Sequence, residues 1–318
     1  MSFVAPFTRF AKGACRNALR RLGYTIHKLD PPYSEALSLI HHKASASAGD
    51  HSSAGEQAEI YRLLRRLDLH RGFAVDIAAA DGVGGSCTLG LFRDGKWRGL
   101  AVELDAKQFA RLAWAYNEFP WVDLAKCKVT PSNIVALLHA HDIPVGFEFL
   151  NLDIDSYDLF VIQALLKGGF RPQLISIEIN EKIPPPVYFT VLYDEGHVWQ
   201  EDHFFGCSLA AASEIVKPYG YALASVEYNN AMFVEIDLAT AKHIPDQEVG
   251  AAYAAGYKDR PNRTELFPWN RDVEEALTLT ATEALAFFER FFSRYAGKFE
   301  LRMAKPSTVR NFVLDVQP

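Results

Sequence analysis

FAVDIAAADGVGGS, residues Phe73 to Ser86, reads as a short buried strand that runs straight into a turn of small residues. Phe73, Ala74, Val75 and Ile77 are apolar, Asp76 interrupts them, and Ala78, Ala79 and Ala80 lead into Asp81, Gly82, Gly84 and Gly85 before a helical pattern begins. A turn of this composition lets backbone approach a ligand closely. The next apolar run, Gly99 to Val102, ends in Glu103, where a doubly wound sheet places the acid that binds a ribose. A tight strand-to-helix connection explains the turn alone. The turn together with Glu103 favours a nucleoside-type cofactor. Alanines stand where the G-x-G-x-x-G spacing for a pyrophosphate needs early glycines, which argues against a dinucleotide.

The segment resembles class I S-adenosylmethionine-dependent methyltransferases, whose first motif is a strand, an acid and a small-residue loop followed by Asp-Gly. On that resemblance Asp76, Ala78, Ala80, Asp81, Gly82, Ser86 and Glu103 are cofactor-binding, with Glu103 holding the ribose hydroxyls. Ala78 and Ala80 depart from the family's glycines. A methyl group there requires backbone dihedrals in the common region.

The 318 residues are 49% hydrophobic, enough for a large α/β core. A net charge of −6 excludes the broad basic surface that nucleic acid needs and favours a small acceptor. Cys15, Cys87, Cys127 and Cys207 are too scattered for a zinc site or a redox pair and suit a cytoplasmic protein. No apolar run approaches the roughly 18 residues of a membrane span, and the N-terminus lacks a secretion signal's apolar core.

Every charged side chain from Met1 to Leu29 is basic, interleaved with Phe3, Val4, Phe7, Phe10 and Leu19. Such a helix either packs on the domain or lies on an anionic inner-membrane surface or a partner. His41 to Gly55 reads as a linker, so residues 1–55 form an N-terminal helix and linker, 56–238 the main domain and 239–318 a helical extension. In the main domain, strands near Phe73, Gly99, Asp123, Phe147 and Leu174 alternate with helices, which predicts a parallel sheet covered on both faces. A helix over Gly206 to Tyr219 and an antiparallel hairpin of Tyr221 to Glu227 and Ala231 to Ile236 follow. The fold expected is a Rossmann-like, doubly wound, seven-stranded α/β sheet closed by that hairpin. A long helix from Val273 to Tyr295 carries Phe287, Phe288, Phe291 and Phe292, read as a stripe covering the sheet, with a homo-oligomer contact as the alternative.

The fourth and fifth strands end in Asp153-Ile-Asp155-Ser-Tyr-Asp158 and Glu178-Ile-Asn180. As parallel neighbours they bring Asp153, Asp155, Glu178 and Asn180 to the crevice beside the glycine-rich turn. Oxygen donors without soft ones suit Mg²⁺, which would hold vicinal hydroxyls and lower the pKa of the attacking one. Capping of the helix Leu159 to Leu166 by Asp155, Ser156 and Asp158 is the plainer explanation.

Asp-Ile-Asp-Ser-Tyr-Asp, Ile177-Glu-Ile-Asn180, Phe204-Phe-Gly-Cys-Ser-Leu209 and Asn230-Ala-Met-Phe-Val234 together are similar to FkbM-type and macrocin-type sugar O-methyltransferases. The likeness covers roughly Gln57 to Ile236. That family is often found with surface-polysaccharide genes, and it implies a carbohydrate acceptor. Ser156 and Tyr157 replace the family's usual Gly-Asn. Asp155 and His203 are the candidate bases, with Asp153 also placed beside the cofactor. His197 is a weaker candidate. The aromatic loop Pro184 to Phe205 has rings to stack on a sugar. Thr130 to Asn133 matches the loop that closes the adenine pocket in the broader family. The rival readings are a metal-independent enzyme for a non-sugar small molecule and a non-catalytic binding module with this fold.

Overall fold

The computed structural model describes residues 51–305. The basic segment Met1 to Leu29, most of the expected linker and the last residues of the expected extension lie outside them. The first helix, α1 (Glu56–Arg66), carries Glu56 and Glu59 in its first turn and Arg65 and Arg66 in its last, which complements the helix dipole. Ile60, Leu63 and Leu64, at i, i+3 and i+4 spacing, are buried.

Seven strands form one sheet: β1 (Phe73–Ile77), β2 (Arg98–Glu103), β3 (Val122–Lys126), β4 (Phe149–Leu152), β5 (Leu174–Glu178), β7 (Tyr221–Glu227) and β8 (Asn230–Glu235), in the order β3-β2-β1-β4-β5-β8-β7. The first five are parallel, and β8 runs antiparallel to both β5 and β7. This is the doubly wound sheet with a terminal hairpin that the sequence predicts. The chain winds outward from β1 to β3, then returns to place β4 on β1's other side, so the connections diverge between β1 and β4. Ile77 is level with Val102 on one side and with Leu152 on the other, and Leu152 is level with Ile177. Register therefore brings the carboxyl ends of β1, β2, β4 and β5 to one edge, where ligands of such sheets bind.

Side chains alternate across this sheet. Val75, Ile77, Leu150 and Leu152 enter one core with helix α5 (Asp158–Lys167), while Ala74, Ala101 and Phe149 face the other core with α1. Gly99 is obligatory for space: a β-carbon there would stand 1.8 Å from the Ala74 carbonyl oxygen in the neighbouring strand.

Four expectations fail beyond Pro184. The aromatic loop contains a strand, β6 (Val187–Val191), which pairs with β9 (Phe299–Met303) in a small separate antiparallel sheet. The extension is accordingly not purely helical. The long helix is broken: short 3₁₀ turns precede α10 (Ala281–Phe291), which starts at a Thr280–Glu283 capping box. Its Phe288, with Phe292 just beyond it, packs with Phe189 and Phe204 over the small sheet rather than on the large one. A β-strand of alternating Val, Tyr, Phe, Thr and Val has no partner visible nearby in sequence, because β9 lies about a hundred residues on. Among the described residues no helix is long and apolar enough to cross a membrane.

Gly99→Ala is expected to force β1 and β2 apart, lowering unfolding free energy by about 3 kcal/mol or preventing folding. Urea unfolding followed by circular dichroism measures this.

Candidate active site

The glycine-rich turn leaves β1 with Ala78 at φ 66° and Ala80 at φ 49°. Both alanines occupy the left-handed region, contrary to the requirement for common dihedrals, and each carries strain of about 1 kcal/mol. The turn is held from outside: Ala79 N–H donates to the Val102 carbonyl and Ala80 N–H donates to Glu103 Oε2, both at 2.9 Å. Glu103 Oε1 also accepts from Asp105 N–H at 2.6 Å. Burial pushes the Glu103 carboxyl above its ordinary range, against those backbone donors. A carboxylate has about four lone-pair sites, so capacity remains beyond these backbone donors for a hydroxyl.

A cavity of about 480 Å³ opens over this turn. Ala78, Ala80, Glu103 and Asp153 line it, as do Tyr157, which departs from the family pattern, and Trp199 of the aromatic loop; Leu104, Lys128, Val129 and Val198, which carry no signal in the sequence, complete the wall. The remaining predicted cofactor residues serve the turn itself. Asp76 accepts from Thr88 Oγ1 at 2.6 Å and from Asn151 Nδ2 at 2.9 Å, and burial raises its pKa. Asp81 Oδ1 accepts from the N–H groups of Val83 and Gly84. Gly82, at φ 77°, leaves no room for a β-carbon against Leu112 and Tyr116. Ser86 Oγ accepts from Leu89 N–H at 3.0 Å. Asn133 does not line the cavity: its side chain bonds Thr130 N–H and the Lys128 carbonyl, bracing the loop while Cys127, Lys128 and Val129 form the wall. Asp76 and Ser86 instead border a polar hollow of about 70 Å³ beside Asp153, Asn229 and Asn230, room for about two waters.

Asp153, Asp155 and Glu178 come together, each with a carboxylate oxygen within 4.8 Å of the others. Asp155 sits at φ 53° and does not cap the next helix, whose N-cap position, Tyr157, makes no side-chain cap bond; Asp158, the first residue of that helix, instead accepts from the preceding N–H groups of Ile154 and Ser156 and so fixes the turn that carries Asp155. Glu178 Oε1 accepts from Asn229 Nδ2 at 3.0 Å, while its Oε2 is buried with no partner. Burial, then the neighbouring carboxylates, hold Asp153 and Glu178 far above the usual carboxylate range. Asp155 is pushed up to about 6 by burial and by Asp158. Three oxygen donors, one of them an orphaned buried oxygen, are the donor set a hard cation takes.

Asn180 is not part of this cluster. Strand β5 ends at Glu178, and the Asn180 amide donates to the carbonyls of His203 and Phe205, both at 2.9 Å, tying down the loop before helix α6 (Leu209–Val216). His203 faces a second cavity, of about 390 Å³, together with Lys182, Phe205, Phe267 and Trp269. Its Nε2 lies 3.1 Å from Asp272 Oδ1, and burial, then Lys182, lowers its pKa. His197 borders the first cavity, with Nδ1 2.5 Å from Ser156 Oγ. Asp155 and Trp199 line both cavities. The strap between β6 and α6 was legible as aromatic, but its position between two hollows depends on β6 pairing with β9.

No protein-family model matches the chain, and no curated protein matches it. Solved structures with a related chain path include an S-adenosylmethionine-dependent methyltransferase from Clostridium acetobutylicum (10% identity, 63% of this chain and 97% of that one, TM-score 0.37). A methyltransferase from Podospora anserina with S-adenosylhomocysteine bound is 12% identical over 74% of this chain and 99% of its own, TM-score 0.37. The N-terminal domain of EvdMO1, crystallised with S-adenosylhomocysteine and D-fucose, is 11% identical over 66% of this chain and 97% of its own, TM-score 0.38. Likeness this distant carries neither activity nor substrate across to this chain.

Two outcomes are expected. Replacing Ala78 and Ala80 together by glycine relieves the left-handed strain and, after the extra freedom of the unfolded chain, raises stability by about 1 kcal/mol in denaturant unfolding. Asp155, raised from its ordinary 3.8 to about 6, binds its proton more tightly folded than unfolded. The metal-free protein therefore loses stability as pH rises through that interval, and added Mg²⁺ raises the melting temperature more at pH 8 than at pH 5.

Proposed function

We propose that this chain is an S-adenosylmethionine-dependent O-methyltransferase that methylates a hydroxyl of a sugar, free or within a glycan or glycosylated precursor. The observation that carries the reading is the meeting of two hollows at Asp155. The first has the turn, the ribose-type acid Glu103 and a volume suited to a nucleoside. The second is walled by rings suited to a sugar face. Cys87, Cys127 and Cys207 are free thiols, in keeping with a cytoplasmic site of action.

In this reading Glu103, fixed by the N–H groups of Ala80 and Asp105, accepts a hydrogen bond from a ribose hydroxyl. Val129, Leu104 and Val198 supply apolar wall on the first cavity, and Trp199 closes it towards the second. When bound, a sulfonium donor would supply an activated methyl, its C–S electron pair returning to sulfur as the acceptor oxygen bonds the carbon. The hydroxyl proton passes to Asp155, which is ionised above about pH 6. Asp153, Asp155 and Glu178 would hold a divalent cation, which when bound lowers the pKa of acceptor hydroxyls. The protein's larger contribution is alignment of the oxygen for in-line attack in a site closed to water.

Glu103→Ala is expected to weaken S-adenosylhomocysteine binding by about 1 to 3 kcal/mol in calorimetry. Unchanged affinity would remove the ribose role. Asp155→Asn should leave that affinity in place and lower turnover at least a hundred-fold, a span typical of losing a proton acceptor. Turnover that survives exhaustive chelation would show that proton removal needs no metal.

A further inference from the structure

The second cavity is electrically one-sided. Asp155, Glu178, Glu181, Glu201 and Asp202 face it, against Lys182 and a His203 that burial keeps towards neutral. Two of these acids are answered from nearby: Lys182 Nζ lies 3.3 Å from Glu181, and Arg294 lies 2.7 Å from Asp202. A divalent ion on Asp153, Asp155 and Glu178 would still leave one negative charge in that cluster. Glu201 stands exposed at the cavity with no ion pair among the described residues. The strap 192–203 adds Asp194 and Glu195 and contains no lysine or arginine.

Aromatic rings complete the walls. Trp269, 59% exposed, presents most of its ring at the cavity, while Trp199, 37% exposed, packs edge-on against Phe205 and is fixed by its indole N–H donating to the Asp202 carbonyl. The same wall already binds one ammonium by a ring face: Lys182 Nζ sits 4.2 Å from the centre of Phe205. Asp155 and Glu178 join this cavity to the carboxylate cluster and add to its negative charge. Acids joined to aromatic faces are the combination that recognises a protonated amine, and a cleft in which acids outnumber bases also draws cations in from solution. A neutral sugar makes no use of Glu201, and an anionic sugar or a sugar nucleotide is repelled by it.

We propose that the acceptor is an amino sugar, its ammonium held by Glu201 and the rim tryptophans while a hydroxyl is presented at Asp155. The inference rests on the methyltransferase reading above. Calorimetry on the full chain separates the two, using S-adenosylhomocysteine first and then glucosamine, glucose or glucuronate in the presence of S-adenosylhomocysteine and Mg²⁺. The expected result is glucosamine bound at least ten-fold more tightly than glucose, no binding of glucuronate, and loss of that preference in Glu201→Gln. Trp269→Ala should weaken glucosamine without altering S-adenosylhomocysteine affinity. Equal affinities, a preference for glucuronate, or no binding of glucosamine would overturn the amine assignment alone. Failure to bind S-adenosylhomocysteine would overturn both readings.

Discussion

Three carboxylates within 4.8 Å of one another, one buried and two half-buried, cannot all remain charged without a proton or a cation between them. The rest of the site is arranged around that constraint. Asp153 and Asp155 follow the end of β4, Glu178 ends β5, and the parallel register that aligns Leu152 with Ile177 leaves the chain no way to separate them. Asn229, at the hairpin turn, satisfies one oxygen of Glu178 and leaves the other bare. The sheet thus spends part of its folding free energy on holding like charges together, and a ligand returns that cost on binding.

Much of the large sheet was legible because its signals are local. Five apolar runs punctuated by helical patterns specify alternation of strand and helix, and Asn229-Asn230 between two strand-like runs specifies the hairpin. The acid cluster was legible for the same reason, since strands that end in acids deliver them to a common edge once the sheet is parallel. Asn180 was misread because strand alternation was extended two residues past the true end of β5, into a segment whose amide is committed to backbone carbonyls.

What was not legible is long-range or conformational. Pairing of β6 with β9 links residues about a hundred positions apart, and nothing in either segment names the other. The aromatic residues of α10 could be recognised as buried, but which sheet they cover depends on that pairing. Ala78 and Ala80 were identified as the residues of interest, yet their left-handed backbone opposes alanine's own preference and is imposed by the hydrogen bonds of Val102 and Glu103. Asn133 shows the converse error, a residue in a plausible loop whose side chain is fully used within it.

The strap between β6 and α6 contributes Val198 and Trp199 to one hollow and Trp199, Glu201, Asp202 and His203 to the other. It is pinned at His203 and Phe205 by Asn180, at Asp202 by Arg294, and at His197 by Ser156. One segment is therefore the shared wall of two compartments. Any displacement of Trp199 reshapes both hollows at once, so a change in this segment that widens one compartment cannot leave the other as it was.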